Sequence, residues 1–199
     1  MTGSSIALIS CVWALGCAAG IRSNLNVSPV DPEWEVDELA ILPVTSHATP
    51  GARVASTPEA LARAIAARGS ATRLVSARVV GRRIEEAGLL AEYTQALIAL
   101  RETGVARTSV FEAIADAVGV RYLLLASFSY SREVTSASFD TRQGIGTYAH
   151  IWDRGRVVWE LDGLVSSETG EFTRERSGGD LAEAAVREIA DRLPLRPSR

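Results

Sequence analysis

Few side chains in this sequence are of the kinds that do chemistry, so each can be weighed by its position. Both cysteines, Cys11 and Cys17, fall in an apolar stretch near the amino terminus, which leaves the rest of the chain without a thiol or a disulfide. The two histidines are His47 and His150. His47 follows an apolar run over residues 39–44 and is flanked by Thr45, Ser46 and Thr49. His150 alternates with Tyr148 and Trp152, a spacing that puts all three on one face of a strand. A Ser/His/Asp arrangement can be drawn on paper, but no Gly-x-Ser-x-Gly elbow accompanies either histidine. Two histidines without a short spacing do not make a zinc site. Gly144, Ile145 and Gly146 lack the third glycine and the following helix that a phosphate cradle needs. The acidic residues Asp31, Glu33, Glu35, Asp37 and Glu38 lack calcium-loop spacing and read as solvated charge. No metal and no cofactor is therefore expected, and both histidines read as hydrogen-bonded residues without a catalytic duty.

The aromatic residues are the remaining candidates. Tyr148 and Trp152 share a strand face, and Trp159 sits on the strand expected beside it. If helices cover that face, the three are core. If it is open, they form an apolar patch suited to a protein partner.

The cysteines gain meaning from the segment that holds them. Residues 6–16 form an apolar run with the length of a secretory h-region, too short to span a bilayer. It closes on Ala14, Leu15, Gly16 and Cys17, which resembles the lipobox of bacterial lipoproteins. That resemblance implies cleavage before Cys17, diacylation of its thiol, and acylation of the new amine. Each buried CH₂ contributes roughly 0.8 kcal/mol, so two or three chains would hold a domain on a membrane almost permanently. Ala18 follows where an Asp would favour inner-membrane retention in some bacteria, so the resemblance implies the outer membrane. A cleaved signal without lipid and a buried core segment are the alternatives.

The 199-residue chain is 47% hydrophobic, enough for one domain of about 160 residues with a core of its own. Net charge is −3, so bulk electrostatics favour neither nucleic acid nor an anionic membrane face. All 21 basic residues are arginine. Residues 17–35 carry two prolines and no periodicity, which reads as an acylated cysteine followed by a flexible tether spanning on the order of 20–25 Å. Trp34 is the exception, being costly to leave in water, and is expected to dock on the domain's edge.

Residues 36–195 alternate strand and helix signals. Residues 38–44 read as a buried strand ended by Pro43. Thr57 and Pro58 open a helix whose apolar face is Leu61 and Ile65. Residues 73–80 read as a second strand, and residues 88–102 as a helix with Leu89, Tyr93, Leu97 and Leu100 on one stripe. Ser109 and Glu112 have capping-box spacing ahead of Phe111, Ile114 and Val118, with Gly119 as the stop. Residues 120–130 are the strongest strand, and residues 131–143 read as a polar loop or an extended hairpin tip. Residues 146–152 and 157–161 flank a turn around Gly155 and read as a hairpin. Asp180 and Glu183 are expected to cap a last helix carrying Leu181, Ala185, Ile189 and Leu193, stopped by Pro194. The expected core comprises Ile41, Leu61, Ile65, Leu97, Phe111, Ile114, Leu123, Leu125, Ile151 and Ile189. The order β-α-β-α-α-β-β-β-α predicts an α/β (α+β) fold: a mixed sheet of about five strands with helices packed on it.

With the lipobox in place, residues 39–44, 119–126 and 149–160 together resemble a group of periplasmic α/β domains. It comprises the curli-secretion lipoprotein, the lipoprotein activators of penicillin-binding proteins, and the amino-terminal domain of the Tol translocation protein. The resemblance covers roughly residues 36–194. It implies an anticodon-binding-like fold and action by binding an envelope protein in the periplasm. Pore formation would need hairpins of about 9–11 residues per strand, and residues 131–143 read as too short and too polar for that. The expected function is a lipid-anchored, non-enzymatic adaptor or assembly factor of the outer membrane facing the periplasm, with no nucleic-acid role. Its contact surface is expected on the hairpin 146–161 and the loop 131–143, through Tyr148, Trp152 and Trp159. The alternatives are a small-ligand or glycan-binding lipoprotein, with Tyr148, His150 and Trp152 lining a pocket, and an envelope hydrolase using His47 or His150.

Overall fold

The structure, a computed structural model, describes residues 20–28, 34–43, 57–70, 72–135, 140–169 and 177–197. Six strands form one mixed sheet: β1 (Ile21–Val27), β2 (Glu38–Ile41), β3 (Arg73–Val75), β4 (Tyr122–Thr135), β5 (Asp140–Asp153) and β6 (Arg156–Thr169). Five helices accompany them: α1 (Thr57–Ala67), α2 (Ala77–Glu86), α3 (Leu90–Thr103), α4 (Thr108–Val118) and α5 (Gly178–Arg192). The strand order is β1-β6-β5-β4-β2-β3. β2 runs parallel to both β3 and β4, whereas β4, β5, β6 and β1 form an antiparallel meander. The fold is α+β, as expected, with one strand more than the sequence suggested.

The added strand is β1, which lies in the stretch expected to be tether. It pairs with β6 along its whole length, from Ile21 opposite Ser167 to Val27 opposite Leu161. Ser28 then fastens its end: its hydroxyl accepts the Glu160 N–H at 2.9 Å, and its own N–H donates to the Glu160 carbonyl at 3.0 Å. Leu25 packs on the core beneath. Trp34 docks as expected, its Nε1–H donating to Tyr122 Oη at 3.3 Å with the two rings edge to face. Val36 is fully buried and bridges to Leu195, joining the segment before β2 to the segment after α5.

Three further expectations are corrected, and one open alternative is decided. β3 stops at Val75, and residues 77–80 begin α2, whose buried stripe is Ala77, Val80 and Ile84. The run of branched residues mimicked a strand, but Val80 and Ile84 are four apart and face one way. α4 starts at Thr108 behind Arg107, with no side-chain cap, so Ser109 and Glu112 do not form the expected box. A box does cap α5, but one turn earlier than the expected Asp180 and Glu183: the Ser177 hydroxyl accepts the Asp180 N–H and Asp180 accepts the Ser177 N–H. Of the two forms left open for residues 131–143, the extended hairpin tip is the one observed: β4 and β5 are 14 residues each and stay paired from Tyr122–Asp153 to Thr135–Asp140.

The sheet separates two cores. On one face, α1 and α5 cover Leu39, Ile41, Leu124, Ile151, Trp159 and Leu161, and a continuation joins Ile145 and Val165 to Leu181 and Ala185. On the other face, α2, α3 and α4 cover Ala40, Leu42, Leu123, Leu125 and Trp152. The expected core residues are all buried except Leu97, which only packs against the second cluster's margin. At roughly 25 cal/mol per Å² of apolar surface, clusters of this kind are the main stabilising term in a domain without disulfides.

Candidate functional site

The second face is the informative one, because its helices stop halfway along the sheet. The apolar cluster beneath α2–α4 ends at Leu125 on β4 and Trp152 on β5. Beyond it, cross-strand pairing sets side chains in rows: Asn26, Asp162, Tyr148 and Ser127, then Asn24, Leu164, Gly146 and Ser129, then Arg22, Ser166, Gly144 and Ser131. Ser127, Ser129, Asp162 and Leu164 are exposed. Leu164 is the apolar point of this otherwise polar, small-residue surface, 41% exposed.

His150 stands at the boundary between covered and bare sheet. Its register neighbours are Leu125 on β4 and Glu160 on β6. Tyr148 Oη lies 3.0 Å from Nδ1, and Glu160 Oε1 lies 3.3 Å from Nε2, close enough for attraction but out of line for a full hydrogen bond. The histidine is 5% exposed. Burial pushes its pKa below the ordinary histidine value, against the opposing pull of Glu160. Burial, with the nearby charges of Glu160 and Asp162, also pushes the Tyr148 phenol up to about 12. Tyr148 therefore keeps its proton and can donate it to Nδ1, which leaves the neutral ring's own proton on Nε2, facing the carboxylate. The arrangement holds an aromatic side chain in one orientation on the bare sheet.

The three aromatic candidates are not brought together. Trp152 is on the Tyr148 face but is 2% exposed, stacked on Phe111 at 4.3 Å between centroids. Trp159 is 1% exposed and lies on the opposite face, in the core beneath α1 and α5. Both tryptophans are core because each lies on a part of the sheet that helices cover, and neither can line a contact surface or a ligand pocket. Tyr148 alone, half-buried, presents surface. His47 and Cys17 lie outside the described residues. Among the described residues, no three or more His, Cys, Asp or Glu side chains gather as a metal would require, and no helix is long and apolar enough to cross a membrane.

Sequence reasoning missed the features that make this surface. Gly144 and Gly146 leave room for serines across the strand: a β-carbon on Gly146 would stand 2.4 Å from Ser129 Oγ. The serine alternation on β4 is legible in the sequence, but the glycines that match it on β5 resemble an incomplete phosphate loop until the strands are paired.

A groove of about 680 Å³ runs between α1 and α5, lined by Ala60, Ala64, Ala182 and Ala190, with Arg63 and Arg187 among its other residues. It belongs to the helix-covered side. Arg68, at the end of α1, closes it by donating to the carbonyls of Ala190 and Leu193.

No family model matches the sequence, and no curated protein matches it either. Solved structures do match. The PelC dodecamer from Paraburkholderia phytofirmans is similar with a TM-score of 0.50 and 15% identity, covering 88% of this chain and 99% of that one. Lipoprotein GNA1162 from Neisseria meningitidis is similar with a TM-score of 0.46 and 19% identity, covering 77% of this chain and 98% of that one. The LpoB C-terminal domain from Escherichia coli is similar with a TM-score of 0.37 and 20% identity, covering 64% of this chain and 81% of that one. The likeness to PelC is one of fold.

Proposed function

We propose that this chain is a lipid-anchored protein of the bacterial envelope, held on the outer membrane and facing the periplasm, that docks an envelope protein and performs no catalysis. The observation that carries the reading is the bare half of the second sheet face: ordered strands with Tyr148 and Leu164 on an otherwise small, polar surface. Ser127, Ser129 and Gly146 keep it flat enough for another protein to approach. The anchor rests on the lipobox resemblance at Cys17, and the class of function on the periplasmic domains that the sequence resembles.

The test is site-specific photocrosslinking in intact cells. A photoreactive side chain at Leu164 should capture a protein, and one at Arg63, on the helix-covered side, should not. Cys17→Ser should release the domain from membranes without unfolding it. Equal capture from both positions, or turnover of a glycan or peptide by the purified domain that is lost in His150→Ala, overturns the reading.

A second reading follows from the PelC likeness. That protein is a dodecamer, and the occupant of the bare half-sheet would then be another copy of this chain. Adducts at multiples of the chain's own mass identify this case.

A further inference from the structure

We infer that one end of the sheet, made by the start of β1, the end of β4, the start of β5 and the end of β6, rests on the phosphate-bearing headgroup layer of the membrane that carries the Cys17 anchor. This rests on the proposed acylation of Cys17 and adds to it a fixed orientation.

Chain length carries the argument. Ala18, Ala19 and Gly20 alone separate Cys17 from Ile21, where pairing with β6 begins. Four residue steps reach at most about 14 Å, however extended the chain is. The chain before Ile21 leaves the sheet at the end where Ser167, Gln143 and Arg132 lie in the same row. The β4–β5 ladder continues past that row by three more pairs, to Thr135 and Asp140. At about 3.3 Å per residue those pairs extend about 10 Å beyond the row. The anchor's longest reach and the projection of the ladder thus differ by only a few ångströms. With the acyl chains inserted, the strand ends stand at the depth of the headgroups.

The side chains at this end suit that surface. Ile21, Arg22, Arg132, Glu133, Arg142 and Glu168 are exposed, and Arg142 is bridged to Glu168 at 2.6 Å. Guanidinium groups can exchange a carboxylate for a lipid phosphate with similar geometry. The opposite end, at the Asp153–Arg156 turn, lies ten residues farther along β5 than Gln143, about 33 Å away. Helices α2–α4 pack toward that distal end, against Leu123 and Trp152.

Because the sequence has no cysteine after Cys17, single labels can be placed cleanly. The acylated full-length mature protein, carrying a fluorophore at Arg142→Cys or Arg156→Cys, is reconstituted into phosphatidylcholine–phosphatidylglycerol vesicles with a spin-labelled headgroup lipid. Glu133→Cys serves as a second proximal position should the first variant misfold. Quenching at residue 142 or 133 is expected to exceed that at residue 156 at least severalfold. Co-flotation with equally weak quenching at all positions overturns the orientation and leaves the anchor standing. Failure to co-float overturns the anchor, and the orientation with it.

Discussion

Asn24 and Gly163 meet backbone to backbone: a β-carbon added to Gly163 would stand 2.1 Å from the Asn24 carbonyl oxygen and 2.8 Å from the Leu25 Cα. Gly163 also has a φ of 153°, which side-chain-bearing residues rarely adopt. Both facts make this glycine the point at which β1 is allowed onto the sheet.

Gly163→Ala is therefore expected to destabilise the domain by about 1–3 kcal/mol through backbone strain, with the loss concentrated at β1. Hydrogen exchange checks it. Amides of residues 21–27 should lose protection while those of β4 and β5 keep theirs. Uniform loss across the sheet would show that β1 does not respond as a separate edge.

His150 makes stability pH-dependent in a defined direction. Its pKa is held below the ordinary histidine value, so the unfolded chain binds a proton that the folded one refuses. Stability should be insensitive to this group above about pH 7 and should fall as pH drops through about 6.5 toward the lowered value. His150→Gln should flatten that part of the denaturation profile relative to wild type. At lower pH, Asp153 and Glu38 take over, since hydrogen bonds with Arg121 and Arg73 hold both carboxyls below their usual range. Their stabilising contribution disappears as they are protonated.

Trp152 and Tyr148 share a strand face and should respond differently to truncation. Trp152 is stacked on Phe111 inside the core, so Trp152→Ala should cost about 3–5 kcal/mol. Tyr148 is half-buried on the bare sheet, and Tyr148→Ala should cost well under half as much. Urea denaturation of the two variants decides it.

The helix caps can be tested apart. Ser177→Ala removes the hydroxyl that accepts the Asp180 N–H and should cost about 1 kcal/mol. Ser109→Ala, in the sequence expected to hold a box, should cost less than half of that, as measured by chemical denaturation.

What the sequence made legible was the apolar framework. Residues 122–126, the Ile151 neighbourhood and the α5 stripe all announce themselves by unbroken or periodic hydrophobicity. The turn at Arg154 and Gly155, both at positive φ, was readable from the glycine. β1 was hidden because its hydrogen-bond partner is distant and its alternation is carried by Ile21, Ser23, Leu25 and Val27 against Arg22, Asn24 and Asn26, a polar edge-strand composition that looks like linker. The outer ends of β4 and β5 were ambiguous for a related reason: exposed strands need no apolar face, and Arg132, Glu133 and Arg142 suit a loop as well as an extended hairpin tip. The candidate surface followed the same rule. Tyr148 could be chosen from sequence, but Trp152 and Trp159 could not be assigned to the interior until the helices were placed.

The pairing of β1 with β6 also dictates an order of events. Ser28 and Glu160 are 132 residues apart, so the sheet's first strand can take its place only after nearly all of the chain is available. During synthesis, residues 21–27 appear well before their partner, and until they pair β6 presents an unfilled edge to anything extended nearby. Closing so long a loop is entropically expensive and slow relative to the local helices and hairpins. Acylation at Cys17 would confine the waiting strand to the membrane surface, close to where the rest of the chain emerges, and so shorten the search. β1 can then be seated only once β6 exists, and until it is seated the free edge of β6 stays open to mispairing.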